Sequence, residues 1–114
     1  VPGVLDRPAM ERVRAYLSAH AAGQVRSHDL ESIAGLDRYS IARQFRAAFG
    51  TSPDRYRTQR RLEGAREAIE RGEPLAGVAA EAGFADQSHL TRQFKRTYGL
   101  TPARWARFTA AQVA

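Results

Sequence analysis

The apolar residues along this chain recur at steps of three and four, which is the spacing of one buried face on an amphipathic α-helix. Met10, Val13 and Leu17 indicate a first helix, which we expect to end near Gly23. β-Branched residues are few, and apolar and polar positions nowhere alternate as they would along a half-buried strand. The pattern therefore predicts an all-α protein.

The second half of the chain repeats the first. The letters RQFR at 43–46, with a glycine at 50 and TSP at 51–53, recur 49 residues later as RQFK at 92–95, a glycine at 99 and LTP at 100–102. Upstream the offset is 48, from Leu30 and Val78 to Gly35 and Gly83, so the first turn is one residue shorter. Each copy reads as a short helix, a glycine turn, an acidic cap and a longer helix, which is the order of a helix-turn-helix unit.

Each copy supplies its own cap and its own buried residues. Asp37 and Asp86 are placed to accept hydrogen bonds from the first N–H groups of the helices that follow them. Four-residue steps put one apolar series on the inner side of each helix: Ile41, Phe45 and Phe49 in the first copy, and Leu90, Phe94 and Tyr98 in the second.

A long connecting helix is expected between the copies, at about 53–71. Ser52 and Pro53 are typical of a helix start, and an apolar stripe continues to a stop at Gly72. We therefore divide the chain into a linker or cloning remnant at 1–7, a first helix-turn-helix subdomain at 8–51, the connecting helix at 52–72 and a second subdomain at 73–114.

Composition narrows the possible functions. The chain has no cysteine, which excludes disulfides and thiolate metal sites, and no apolar run long enough for a membrane span or signal peptide, so a cytoplasmic protein is expected. Its net charge of +6 is distributed as −1 over residues 1–37, +5 over 38–71, −2 over 72–85 and +4 over 86–107. Seventeen of the eighteen basic residues are arginine, whose guanidinium suits phosphates and guanine edges, although genome base composition is an alternative source of that bias.

Polar side chains occupy the outer faces of both longer helices. If the apolar series point inward, the outward residues are Arg38, Tyr39, Ala42, Arg43 and Arg46 in the first copy, and Gln87, Ser88, Thr91, Arg92 and Lys95 in the second. Arginine pairs with guanine and glutamine with adenine, and a recognition helix presents such side chains near its N-terminus. The two faces together predict a reader of double-stranded DNA, whereas any one residue alone is equally compatible with a solvated basic surface.

These motifs carry a family resemblance. The stretch IAGLDRYSIARQFR at 33–46, and above all GFADQSHLTRQFKR at 83–96 followed by Gly99 and TP at 101–102, resembles the AraC/XylS family of bacterial transcription regulators over about residues 10–107. The resemblance implies seven helices, with two helix-turn-helix subdomains joined by a long helix and recognition helices at about 38–48 and 87–97 in successive major-groove segments. It places base-contact candidates at Tyr39, Ala42, Arg43, Gln87, Ser88, His89, Thr91 and Arg92, beside phosphate-contact candidates Arg38, Arg46, Lys95 and Arg96.

Two residues depart from the family pattern. Glu31 stands where the second copy has Ala79 and where such motifs usually have a small residue, so we expect the first scaffold helix to pack differently or to hold this charge at an edge. Ala42 offers no hydrogen bond to a base. We therefore expect the second unit to hold the more reliable structure, and the first to read fewer bases and to depend more on phosphate contacts from Arg38, Arg43 and Arg46.

The resemblance also implies partners. Relatives of this kind activate promoters, often by touching RNA polymerase, and many carry a separate sensing and dimerisation domain, which would lie outside this chain. Two readers on one chain predict an operator with two sub-sites about one helical turn apart, bound by a monomer of this domain in the bacterial nucleoid. If the connector is stiff, the two recognition helices either match that spacing or bend the DNA to meet it. The sequence leaves open whether the protein activates or represses, and whether it is regulated by a sensing domain or by its abundance. It also leaves open whether the full-length protein dimerises.

Other chemistry has little support. His20, His28 and His89 lack the short pairing of a zinc site, and the chain has neither a glycine-rich phosphate loop nor a nucleophile elbow. We therefore expect no metal, no cofactor and no enzymatic activity. The alternatives are a basic helical module that binds an acidic protein or RNA, and a targeting domain of a larger protein with its own catalytic part.

Overall fold

The computed structural model describes residues 4–113, and that part of the chain folds into seven α-helices without a strand. The helices are α1 (Arg7–Ala19), α2 (Ser27–Ala34), α3 (Arg38–Phe49), α4 (Pro53–Glu70), α5 (Leu75–Ala82), α6 (Gln87–Tyr98) and α7 (Pro102–Val113). The predicted all-α class and its seven helices are confirmed. Of the predicted linker at 1–7, residues 1–3 lie outside the described part, and Arg7 already belongs to α1.

The predicted end of the first helix near Gly23 is wrong, because α1 ends at Ala19. The backbone N–H of His20 still bonds to the Tyr16 carbonyl, and the chain then turns, with the Gly23 N–H donating to the His20 carbonyl at 3.1 Å. Ala21 is buried and follows Leu17 by four residues, so its spacing is helical although it reaches the core from a turn. Apolar spacing alone does not distinguish these two geometries.

The chain divides into two compact units, residues 1–58 and residues 59–114, and each has its own core. In the first unit, the buried side chains of α1 pack against Ile41 and Phe45 of α3. The Phe45 ring meets Phe49 at 4.7 Å and Tyr56 at 5.7 Å between ring centroids, both edge-on. The Tyr56 hydroxyl lies 2.8 Å from the Ser18 hydroxyl, which ties the start of α4 to α1.

The core of the second unit is arranged in the same way but is built from different residues. Phe94 is completely buried and its ring meets Tyr98 at 4.7 Å and Trp105 at 5.7 Å. The indole N–H of Trp105 donates to the Glu70 carboxylate at 3.0 Å, which ties α7 to α4. The Arg66 guanidinium carbon lies 5.8 Å from the centroid of the Tyr98 ring, and hydrogen bonding to Tyr98 raises the pKa of this guanidinium above its usual value.

The connecting helix α4 therefore takes part in both units. Its first turn, with Tyr56, corresponds to the first turn of α7 with Trp105. Its later turns correspond to α1, because the buried Met10, Val13 and Leu17 match the buried Leu62, Ala65 and Ile69 at an offset of 52. The repeat seen in the sequence from residue 30 onward thus extends upstream to α1.

Candidate nucleic-acid interface

The N-terminus of α3 is held by carboxylates. Asp37 accepts hydrogen bonds from the backbone N–H groups of Tyr39 and Ser40, each at 3.0 Å, and from the Ser40 hydroxyl at 2.9 Å. The backbone N–H of Ser40, followed by its hydroxyl, lowers the pKa of the Asp37 carboxyl. The expected cap is confirmed, and the charged carboxylate is its stable form.

A third N–H group in this turn is bound by a residue of the preceding helix. The Oε2 atom of Glu31 accepts from the backbone N–H of Arg38 at 3.0 Å. Sequence reasoning singled out Glu31 as a departure from the pattern but did not find this partner. Its half-buried side chain lies at the junction of α2 and α3, where it binds the first N–H group of α3.

The outward face of α3 carries the predicted residues. Arg38, Tyr39, Ala42, Arg43 and Arg46 are all exposed, and Tyr39 exposes 70% of its surface. The Arg38 guanidinium donates to the Tyr39 hydroxyl at 3.1 Å and lies 5.1 Å from the ring centroid. The first two residues of the helix thus form a stacked polar pair that faces solvent.

The N-terminus of α6 is built with a single carboxylate. Asp86 accepts from the backbone N–H of His89 at 2.7 Å, which confirms the second expected cap. The His89 ring is half-buried and meets the buried Phe84 edge-on at 5.4 Å. Among the base-contact candidates on this helix, His89 is therefore engaged in packing the turn.

The other four candidates on α6 lie together. Gln87, Ser88, Thr91 and Arg92 line one open concavity on the outer face of the helix. The Thr91 hydroxyl donates to the Gln87 carbonyl at 2.9 Å, and Thr91 is half-buried while the other three are exposed. Lys95 and Arg96 continue the exposed basic face toward the C-terminus of the helix.

The cations on these two faces form no ion pair with another residue in the described part of the chain. Other basic residues, Arg14, Arg60, Arg66 and Arg71, each form an ion pair with a nearby glutamate. None of the six basic phosphate- or base-contact candidates takes part in one, and no buried polar or charged residue occurs in the described part of the chain. The two faces therefore offer their full positive charge to an anionic partner.

Comparison with known proteins agrees with this geometry. A family model described as a helix-turn-helix domain matches residues 30–107. The probable transcriptional regulator LumQ of Photobacterium leiognathi is 31% identical over 105 residues, which make up 91% of this chain and 42% of LumQ. An AraC-like transcription regulator of Streptomyces antibioticus is 33% identical over 101 residues, or 88% of this chain and 33% of that protein.

The chain belongs to the AraC family. The predicted resemblance is thereby confirmed, while the chain spans less than half the length of either regulator. Among solved structures, the DNA-binding domain of AdpA in complex with a target DNA has a TM-score of 0.83 at 25% identity, covering 91% of this chain and 95% of that one. The fold of this AraC-family domain is thus that of a protein solved on DNA.

Some arginines of α4 in this AraC-family domain have structural partners. The Arg57 guanidinium donates to the Gly23 carbonyl within the first unit, and Arg60 pairs with Glu63 at 2.5 Å. These two guanidinium groups are thus engaged by a loop carbonyl and by a carboxylate three residues away on the same helix.

The segment before α1 also reaches α3, which the sequence did not reveal. The backbone N–H of Asp6 donates to the Gln44 side-chain oxygen at 2.8 Å, and Leu5 packs at the edge of the first core. Val4 and Leu5 line a small recess together with Arg43, Gln44 and Ala47. Residues 4–6, assigned to a linker from their composition, are part of the surface around α3.

The described residues contain neither a metal-binding cluster nor a membrane-spanning helix. Between residues 4 and 113, no group of three or more histidine or acidic side chains is arranged to hold a metal ion. No helix in the same part of the chain combines the length and the apolar character needed to cross a membrane.

Proposed function

We propose that this domain binds double-stranded DNA sequence-specifically as part of a bacterial transcription regulator, with α3 and α6 each inserted into a major-groove segment. The observation that carries the proposal is that α3 and α6, both capped by an aspartate, present exposed basic faces at matching positions. The basic residues of these faces form no ion pair within the described part of the chain. The DNA complex of the AdpA domain supports it. An α-helix fits the major groove, and side chains near its N-terminus reach base edges there.

The exposed chemistry suggests a division of roles. Arg43 and Arg92 suit guanine O6 and N7, Gln87 suits adenine, and Ser88 and Thr91 are adaptable. Tyr39 and Ala42 offer apolar contact to a thymine methyl, and His89, held against Phe84, is the weakest base-contact candidate. Phosphate contacts are assigned to the remaining cations, Arg38, Arg46, Lys95 and Arg96.

The wider role rests on the family. We propose an operator with two sub-sites about one helical turn apart, bound by one copy of this domain in the bacterial cytoplasm. Promoter activation through RNA polymerase, sensing by a separate domain, and dimerisation of the full-length protein belong to the same proposal. The lengths of LumQ and the Streptomyces regulator leave room for such additional parts in those proteins.

The test is selection of bound duplexes from a random DNA library at near-physiological salt, with wild-type, Arg43→Ala and Arg92→Ala proteins. We expect two short enriched blocks, one relaxed by each substitution. Arg71→Ala is the matched control, because it removes the same charge from a residue already paired with Glu73. Absence of any enriched sequence, or equal affinity for duplex RNA, would refute DNA reading and favour a basic helical interaction module.

Salt dependence separates phosphate contacts from base contacts. Lys95→Ala should weaken binding about equally on all duplexes and lower the slope of log affinity against log salt by about 1. Arg71→Ala should leave that slope nearly unchanged. Equal slopes for Lys95→Ala and wild type would remove Lys95 from the interface.

A further inference from the structure

We propose that Glu31 positions the first recognition helix for base reading by holding the backbone of its first residue, a role that has no counterpart in the second unit. Glu31 itself would not touch the DNA. The inference rests on the proposed DNA binding and concerns how the first of the two readers is oriented.

The first argument is the set of hydrogen bonds at the start of α3. The N–H groups at the beginning of a helix have no partner within the helix, so other groups must bind them. Here the N–H groups of Arg38, Tyr39 and Ser40 all meet carboxylate oxygens at 3.0 Å, the first from Glu31 and the next two from Asp37. Glu31 lies on α2, so its bond joins the two helices across the turn.

The second argument is the different construction of the second unit. Ala79 occupies the position that corresponds to Glu31, and it is buried and cannot accept a side-chain hydrogen bond. The turn there is one residue longer, and it contains the buried Phe84, against which His89 packs. Apolar packing thus holds the longer turn, whereas in the shorter turn a carboxylate bridges the gap.

The third argument is what lies next to the anchored atom. Arg38 carries its side chain over the ring of Tyr39, and both are exposed candidates for DNA contact. Release of the Arg38 N–H would free the first turn of α3 to fray, and with it the direction of this pair. The second reader, which has its own turn, would be unaffected.

The experiment compares Glu31→Ala, Glu31→Asp and Glu31→Gln in the two-block selection. Glutamine keeps an oxygen at the same reach, aspartate keeps the charge but is one methylene shorter, and alanine loses both. We expect Glu31→Ala and Glu31→Asp to reduce base discrimination in the first block about tenfold, the scale of one good base contact, and to leave the second block unchanged. Glu31→Gln should retain the wild-type profile.

Glu11→Gln is the matched charge control, because Glu11 also lies in the first unit and pairs with Arg14 on the surface of α1. If Glu31 acted only through its charge, Glu31→Gln and Glu31→Ala would behave alike, with a uniform gain in affinity resembling that of Glu11→Gln. That outcome, an unchanged first block in Glu31→Ala, or equal relaxation of both blocks, would overturn the proposal.

A measurement without DNA keeps this inference separate from the proposed function. Amide hydrogen exchange at Arg38 should be faster in Glu31→Ala than in Glu31→Gln, while exchange at His89 is the same in both. If no duplex is enriched by the wild-type protein, DNA reading fails and so does the role of Glu31 in it, but the exchange data still decide whether Glu31 holds the helix. If Arg38 exchanges equally in both variants, the positioning role is wrong even when DNA reading is correct.

Discussion

Replacing Phe94 with alanine should remove most or all of the stability of one half of this domain and leave the stability of the other half unchanged. Phe94 is completely buried, and its ring contacts Tyr98 and Trp105, with centroid distances of 4.7 and 5.7 Å. Removal of a buried phenylalanine side chain costs about 3–5 kcal/mol, since both the transfer free energy and the cavity count against the folded state. A unit of the length of residues 59–114 has a total unfolding free energy of about 3–8 kcal/mol.

The two cores share no buried residue, so the loss should be local. Amide hydrogen exchange should show lost protection in α5, α6 and α7 and retained protection in α1, α2 and α3. Phe45→Ala is the matched control, because Phe45 is equally buried and has the corresponding ring contacts, and it should give the reverse pattern. Loss of protection in all six helices in either variant, or a cost below about 1 kcal/mol, would refute the reasoning from separate cores.

Three further outcomes are expected. Asp37→Ala should reduce the free energy of unfolding near neutral pH. Because folding lowers the pKa of Asp37, the difference between variant and wild type should disappear when denaturation is measured at lower pH. A difference that persists in strong acid would contradict the cap. Gly64→Ala in the middle of α4, where a Cβ meets open space, should stabilise the protein by about 0.5–1 kcal/mol. Gly50→Ala, at φ +75°, should destabilise it by about 1–2 kcal/mol. Thermal melts that reverse this order would argue against both assignments. In the DNA selection, Arg92→Ala should relax more positions than Arg43→Ala, and equal losses would count against an unequal pair of readers.

Helix identity and the two exposed faces could be predicted because they depend on local rules. Apolar spacing defines a buried face, and an aspartate before a helix binds its free N–H groups wherever that helix docks. The caps at Asp37 and Asp86 follow from this, and so does the exposure of Arg43 and Arg92. A repeat at a fixed offset strengthened each of these inferences, since two copies had to agree.

Contacts between side chains distant in sequence could not be predicted in the same way. The bond from Glu31 to Arg38 depends on how closely α2 approaches α3, and the bond from Asp6 to Gln44 depends on the path of a segment without periodicity. The equivalence of α1 and α4 was hidden for another reason. Ser18 binds Tyr56 and Glu70 binds the corresponding Trp105, although a hydroxyl and a carboxylate differ in chemistry. The two helices therefore have similar geometry without similar sequence.

The double use of α4 has an architectural consequence. Each unit consists of four helical segments, and the last segment of the first unit is continuous along the chain with the first segment of the second, so one helix contributes to both units. α7 begins as α4 does, with an aromatic residue in its first turn, Trp105 in α7 and Tyr56 in α4. A helix break introduced between residues 58 and 59 would therefore fall between two four-segment units and leave the core residues of each unit on its own side.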